Sequence, residues 1–186
     1  SIVIMGPGQR GLAAVIAAKM AGASQIIVTG LAADTKKMEL ARLYGADYTI
    51  DVENEDADTR IKEITGGKGV DIVLDVSPYA TKPVTDAIAF SRRGGTVVLA
   101  GMKGDKAIPN FVSDAIIGKE LTIKGASGVT SSGYRSAIRA IESRTIPLDA
   151  MHTHNFALQD AELAIRTLAR EVDGDESIHS CLIPDF

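Results

Sequence analysis

The sequence predicts a doubly wound α/β fold, a parallel sheet with helices on both faces, and three observations lead there. Short apolar runs rich in Val and Ile recur without polar alternation, the pattern of strands buried on both faces. Helical patterns separate the runs, so strand and helix alternate as right-handed crossover units require. Glycine-rich punctuation returns each helix to the next strand.

In chain order, strands are expected at Ser1–Met5, Gln25–Thr29, Tyr48–Ile50, Val70–Val76, Thr96–Ala100 and Leu121–Lys124. The helices between them are expected at Gln9–Ala21, Thr35–Tyr44, Ala57–Ile64 and Thr81–Phe90. Gly45 suits a helix C-terminus, and Gly66-Gly67-Lys68-Gly69 and Arg93-Gly94-Gly95 turn the chain from helix to strand. After Gly128 a helix at about Ser131–Glu142, an irregular stretch at Ser143–Asn155, a helix at Gln159–Arg170 and a strand at Ile178–Ile183 complete the pattern. The whole chain is read as one domain, with about 144–186 returning towards a separate domain.

At 186 residues and 45% hydrophobic content the chain can bury a real core. A net charge of −4 disfavours nucleic acid and anionic membrane as partners. The one cysteine, Cys181, forms no internal disulfide and is read as a small buried hydrophobe, and no apolar run reaches a membrane span of about 18 residues. A cytoplasmic setting is therefore expected. Ser1 opens directly on an apolar run without an initiator Met or a signal-type segment, which reads as a fragment lacking its N-terminal part.

The chemistry rests on Gly6-Pro7-Gly8-Gln9-Arg10-Gly11, a G-x-G-x-x-G placed after the first strand and opening the first helix. The first glycine serves a tight turn, the second lets backbone approach a pyrophosphate, and the third brings helix close to strand. Phosphates then meet the free N–H groups and positive dipole of the helix N-terminus. Pro7 suits a turn with fixed φ. Such a motif alone also describes an ordinary turn; its strand–helix–strand setting makes it a dinucleotide site.

Competing dehydrogenase classes are tested by residues. The Tyr-x-x-x-Lys of short-chain dehydrogenases is absent, because Tyr44, Tyr48, Tyr79 and Tyr134 are followed four places on by Tyr48, Val52, Pro83 and Ile138. The A-x-x-G-x-x-G turn usual in zinc-free quinone reductases is absent at Gly6–Gly11. By contrast the glycine motif, Ala17–Ala23, Glu39–Asp47, Gly66–Asp71, Gly94–Gly101, Lys119–Gly125 and Thr153–Phe156 together resemble the medium-chain dehydrogenase/reductase family of zinc-type alcohol dehydrogenases, in its C-terminal cofactor-binding domain.

The resemblance implies an enzyme whose separate catalytic domain supplies the Cys and His zinc ligands, and which transfers a hydride between an alcohol or polyol and NAD, with NADP open. It implies a small alcohol or carbonyl substrate and a homo-oligomer, such as a dimer, joined through the Leu121–Lys124 strand. It implies that Val76, Ser77, Ala100, Gly101 and Met102 line the ribose and nicotinamide path, and that backbone at Ala126 and Ser127 meets the carboxamide. No catalytic or metal residue is expected in this chain, and the fragment alone is expected to be inactive. A regulatory NAD(P)-sensing Rossmann domain without catalysis is the alternative.

Individual residues carry two readings each. Arg10 stands where relatives often have a small apolar residue, and is either a solvated arginine or a phosphate contact. His179 stands where relatives often have Arg or Lys reaching the pyrophosphate. His152 and His154 suit one strand face, but two ligands without a neighbouring Cys are read as no metal site. Cofactor choice falls at Gly30 and Leu31, since an NAD-selecting acid is expected about 20 residues past the motif. Neither is acidic; Asp34 is the nearest acid, and Asp before Thr35 equally suits a helix N-cap. Lys36 and Lys37 offer charge to a 2′-phosphate, but without the two-pronged geometry of an arginine.

Overall fold

A computed structural model of the chain describes residues 1–174 and 176–184. The chain divides at Val129/Thr130 into two compact units.

The first unit alternates strand and helix: β1 (Ile2–Met5), α1 (Gln9–Met20), β2 (Ile26–Gly30), α2 (Thr35–Leu43), β3 (Tyr48–Asp51), α3 (Ala57–Ile64), β4 (Val70–Asp75), α4 (Lys82–Phe90), β5 (Ser91–Leu99), α5 (Asp114–Lys119) and β6 (Thr122–Gly125). All six strands pair in parallel in the order β3-β2-β1-β4-β5-β6, a Rossmann-like sheet. The chain leaves β1 in one direction through β2 to β3, then crosses back to β4 and continues to β6. Right-handed crossovers therefore set α1 and α2 on one face and α3, α4 and α5 on the other. On the latter face Val3, Met5, Ile27, Ile50, Ile61, Val70, Val73, Ala87, Phe90 and Val97 form a buried cluster.

Burial on both faces holds for β2, whose five residues are all buried, but not for β4 and β6. Ile72 is 41% exposed because no helix of this unit crosses the β4–β6 half on the α1 side. All four β6 residues are exposed because β6 is the sheet edge. β5 starts five residues earlier than Thr96. Its pairing with β4 breaks register between Val70 and Ile72, and Gly94 at φ 72° sits in the irregular stretch.

The second unit holds α6 (Ser131–Ser143), β7 (His154–Ala157), α7 (Ala161–Leu168) and β8 (Ser180–Ile183), with β7 and β8 paired in parallel. The Thr130 hydroxyl accepts from the Gly133 N–H and caps α6. The residues expected as irregular up to Asn155 thus end in a strand. Among the described residues no helix is long and apolar enough to cross a membrane.

Candidate functional site

The strand register builds the site. Thr29, Met5, Asp75, Leu99 and Gly125 lie side by side in one row across the carboxyl ends of β2, β1, β4, β5 and β6. The next residue of each strand is therefore Gly30, Gly6, Val76, Ala100 and Ala126. Backbone bonds extend the row, from Gly6 N–H to Thr29 O at 3.0 Å, Val76 N–H to Met5 O at 3.2 Å and Ala126 N–H to Leu99 O at 2.9 Å. Strand order reverses between β1 and β4, so the crevice of an open α/β sheet opens at Gly6 and Val76.

The glycines differ in what holds them. Gly6 turns the chain at φ +100°, a value L side chains rarely adopt. A Cβ on Gly11 would lie 1.9 Å from the Gly6 carbonyl oxygen, so only glycine lets α1 approach the turn this closely. Gly8 is under neither constraint. Its backbone is extended (φ −65°, ψ 179°), and a Cβ there would meet nothing within 4 Å. As N-cap of α1 it supplies no side-chain bond, and the first turn carries no acid. The first turn of α1 thus presents its backbone N–H groups with no acid or side-chain cap beside them. Gln9 and Arg10 are exposed there.

The loops after β1, β4 and β5 meet at Ser77. A Cβ on Gly6 would touch Ser77 Cα at 3.4 Å, and one on Gly101 would fall 2.2 Å from the Ser77 carbonyl oxygen. Ser77 is held by Asp75, whose Oδ1 accepts from the Ser77 N–H at 3.0 Å and hydroxyl at 2.5 Å. Asp75 is fully buried, and Lys103 Nζ lies 2.7 Å from its Oδ2 while donating to the Ser77 carbonyl at 2.5 Å. A buried carboxylate needs such a partner. Met102, 81% exposed, accepts from the Tyr79 N–H at 2.9 Å. Ser127 is exposed just past the end of β6. Asp75 and Lys103 were not legible as site residues; the acid at the carboxyl end of β4, after the apolar Ile72-Val73-Leu74, was the signal.

At the end of β2, Gly30 is packed by Pro7, whose Cγ would lie 2.9 Å from a Cβ. Asp34 stands at the N-cap of α2 but makes no capping bond to it, which corrects the helix-cap reading. Its Oδ2 instead accepts from the Leu31 N–H at 3.0 Å, while Asp34 N–H donates to Leu31 O at 2.8 Å, closing a short 3-10 turn over Ala32–Asp34. Lys37 Nζ is 3.6 Å from Oδ1, and both side chains are about 10% exposed. A second acid that sequence spacing missed, Glu53, accepts from the Ala32 N–H at 2.8 Å.

In the second unit the histidines pair differently from expectation. His154 stacks on Phe156, whereas His152, outside β7, faces His179 with 2.9 Å between their Nδ1 atoms. Cys181 is exposed rather than buried, because it lies on the thinly covered two-stranded sheet.

Residues 11–143 match the family model described as zinc-binding dehydrogenase. The chain is 40% identical over 185 residues to a probable alcohol dehydrogenase of Mycobacterium tuberculosis, covering 98% of this chain and 50% of that protein. It is 32% identical over 186 residues to an erythritol/L-threitol dehydrogenase of Mycolicibacterium smegmatis, covering 99% of this chain and 49% of that one. A solved alcohol dehydrogenase from Thermotoga maritima superposes with a TM-score of 0.86 at 25% identity, over 99% of this chain and 50% of that one. The chain spans about half the length of the curated relatives it matches.

Proposed function

The chain belongs to the zinc-binding dehydrogenase family, and from that premise we propose that it is the NAD(P)-binding half of a zinc-dependent alcohol or polyol dehydrogenase. The observation that supports this most directly is Gly8, a glycine that neither backbone conformation nor packing demands, set at an uncapped helix N-terminus. A larger residue would meet no atom of the fold there and would cost only the modest N-cap preference for glycine, while it would block a ligand.

The N–H groups of Gln9, Arg10 and Gly11, with the Arg10 guanidinium, would hold the pyrophosphate. Gly30, Leu31 and Asp34 would meet the adenosine ribose. Val76, Ser77, Ala100, Gly101, Met102 and Ser127 would line the path to the nicotinamide, which when bound supplies the hydride acceptor. Asp75 and Lys103 then act as positioning residues by locking Ser77 between the turns at Gly6 and Gly101. These side chains bind and orient; the acid–base and zinc chemistry of the parent belongs to residues outside this chain, and its substrate would be a small alcohol or carbonyl compound. A homodimer joined through the β6 edge completes the proposal.

Calorimetry with NADH tests the site. Gly8→Val is expected to weaken binding at least about 100-fold, or about 2.7 kcal/mol, while urea stability falls by no more than about 1 kcal/mol, the loss of a favoured N-cap residue. Gly11→Ala, by contrast, is expected to cost more than about 4 kcal/mol of stability, because its methyl group has no room. Unchanged NADH affinity in Gly8→Val would place the site elsewhere.

A further inference from the structure

Three donors of the types that bind borderline transition ions converge in the second unit. One ring nitrogen each of His152 and His179 and the Cys181 sulfur all lie within 4.8 Å of one another. The strand pairing brings them there. His179, just before β8, and Cys181, within it, are two residues apart, while Thr153 N–H donates to His179 O and sets the approach to β7 alongside. No local sequence pattern announces this group, since 26 residues separate His152 from the next member.

The hydrogen bonds orient the donors. His152 Nε2 lies 2.8 Å from Asn155 Oδ1, which accepts only, so Nε2 carries the proton and the Nδ1 lone pair is free to point at His179. Fixing the tautomer through the far ring nitrogen is what supporting groups of metal-bound histidines do. His179 Nδ1, 2.9 Å away, is then the donor between the two rings.

We propose that His152, His179 and Cys181 form a three-ligand site for a divalent ion of the zinc class. Imidazole and thiolate suit such an ion, whereas magnesium and calcium require oxygen ligands. Bond lengths of about 2.0–2.1 Å to nitrogen and 2.3 Å to sulfur put tetrahedral nitrogen ligands about 3.4 Å apart, so the rings separate by about half an ångström on binding. His152 and Cys181 are exposed and His179 partly so, and that adjustment needs only side-chain rotation. Binding releases the Cys181 thiol proton to solvent and moves the His179 ring proton from Nδ1 to Nε2. The fourth position stays open to water. This site does not depend on the dinucleotide reading: the residues proposed to hold the dinucleotide do not include His152, His179 or Cys181, and His179 is read here as an ion ligand and not as a pyrophosphate contact.

Titration of the full untagged chain with Co²⁺ under reducing conditions tests it. One equivalent is expected to bind with a thiolate-to-cobalt charge-transfer band, and Zn²⁺ is expected to displace it and raise the melting temperature. Cys181→Ser should abolish the band, and His152→Ala and His179→Ala should each weaken binding at least tenfold, about 1.4 kcal/mol. Circular dichroism and the metal-free melting curve check that each variant is folded. Absence of the band in wild type overturns the site. So does an affinity unmoved by the histidine substitutions; binding that survives Cys181→Ser but not loss of the histidines overturns the sulfur's place in it.

Discussion

At Asp34 a carboxylate makes no cap to the helix it precedes and meets instead the Leu31 N–H and, within that helix, the Lys37 ammonium. In the proposed site an acid near the end of β2 would favour NAD by binding ribose hydroxyls and repelling a 2′-phosphate. Here the repulsion is blunted, because Lys37 lies beside the carboxylate and the other nearby acid, Glu53, is turned to the Ala32 N–H. The expected outcome of paired NADH and NADPH titrations is a preference for NADH of less than about tenfold, or 1.4 kcal/mol. Asp34→Ala should remove that preference and also cost about 1–3 kcal/mol of stability, because the Leu31 N–H loses its partner. NADPH binding more than tenfold tighter than NADH would reverse the assignment. Counting about 20 residues from Gly11 leads to Leu31, but not to the two acids whose carboxylates the structure sets against that turn, Asp34 and Glu53. Glu53 arrives from β3 through strand pairing.

The carboxyl ends of β4 and β5 are tied by Asp75 and Lys103. Such a pair is costly to break from one side, since the survivor is left buried and charged. Lys103→Met is expected to lower stability by about 3–5 kcal/mol. The double variant with Asp75→Leu is expected to lose less than the sum of the singles, by more than about 1 kcal/mol in a double-mutant cycle of urea midpoints. Additive losses would show that the two charges do not interact. β1, β2 and the long helices of this half were legible because burial imposes an apolar pattern on them. α5, only six residues long, carries too few turns to show a period, and the four-residue β7 is stabilised by a partner more than twenty residues further on.

For the molecule as a whole, the open edge at β6 matters most. Its four residues are exposed, and an unpaired strand edge is a template for another chain. Pairing with a second copy would continue the sheet across a two-fold axis. Sedimentation velocity is expected to show a dimer at tens of micromolar protein, and Ile123→Lys, at a site 39% exposed, is expected to shift it to monomer. A wild type that stays monomeric removes the proposal.

The sequence by itself determined whatever depends on a few neighbouring residues. Apolar runs set the strands, Gly6 set the turn, and Gly11 set the close approach of α1, because a missing Cβ acts within its own loop. Only the tertiary structure decided which distant groups would share a site. The Asp75–Lys103 pair, the carboxylate of Glu53 at Ala32, and the meeting of His152 with His179 and Cys181 join residues 21 or more positions apart. Their proximity follows from strand order and register, which the whole core enforces by burying one set of side chains, and no short stretch of chain contains that information.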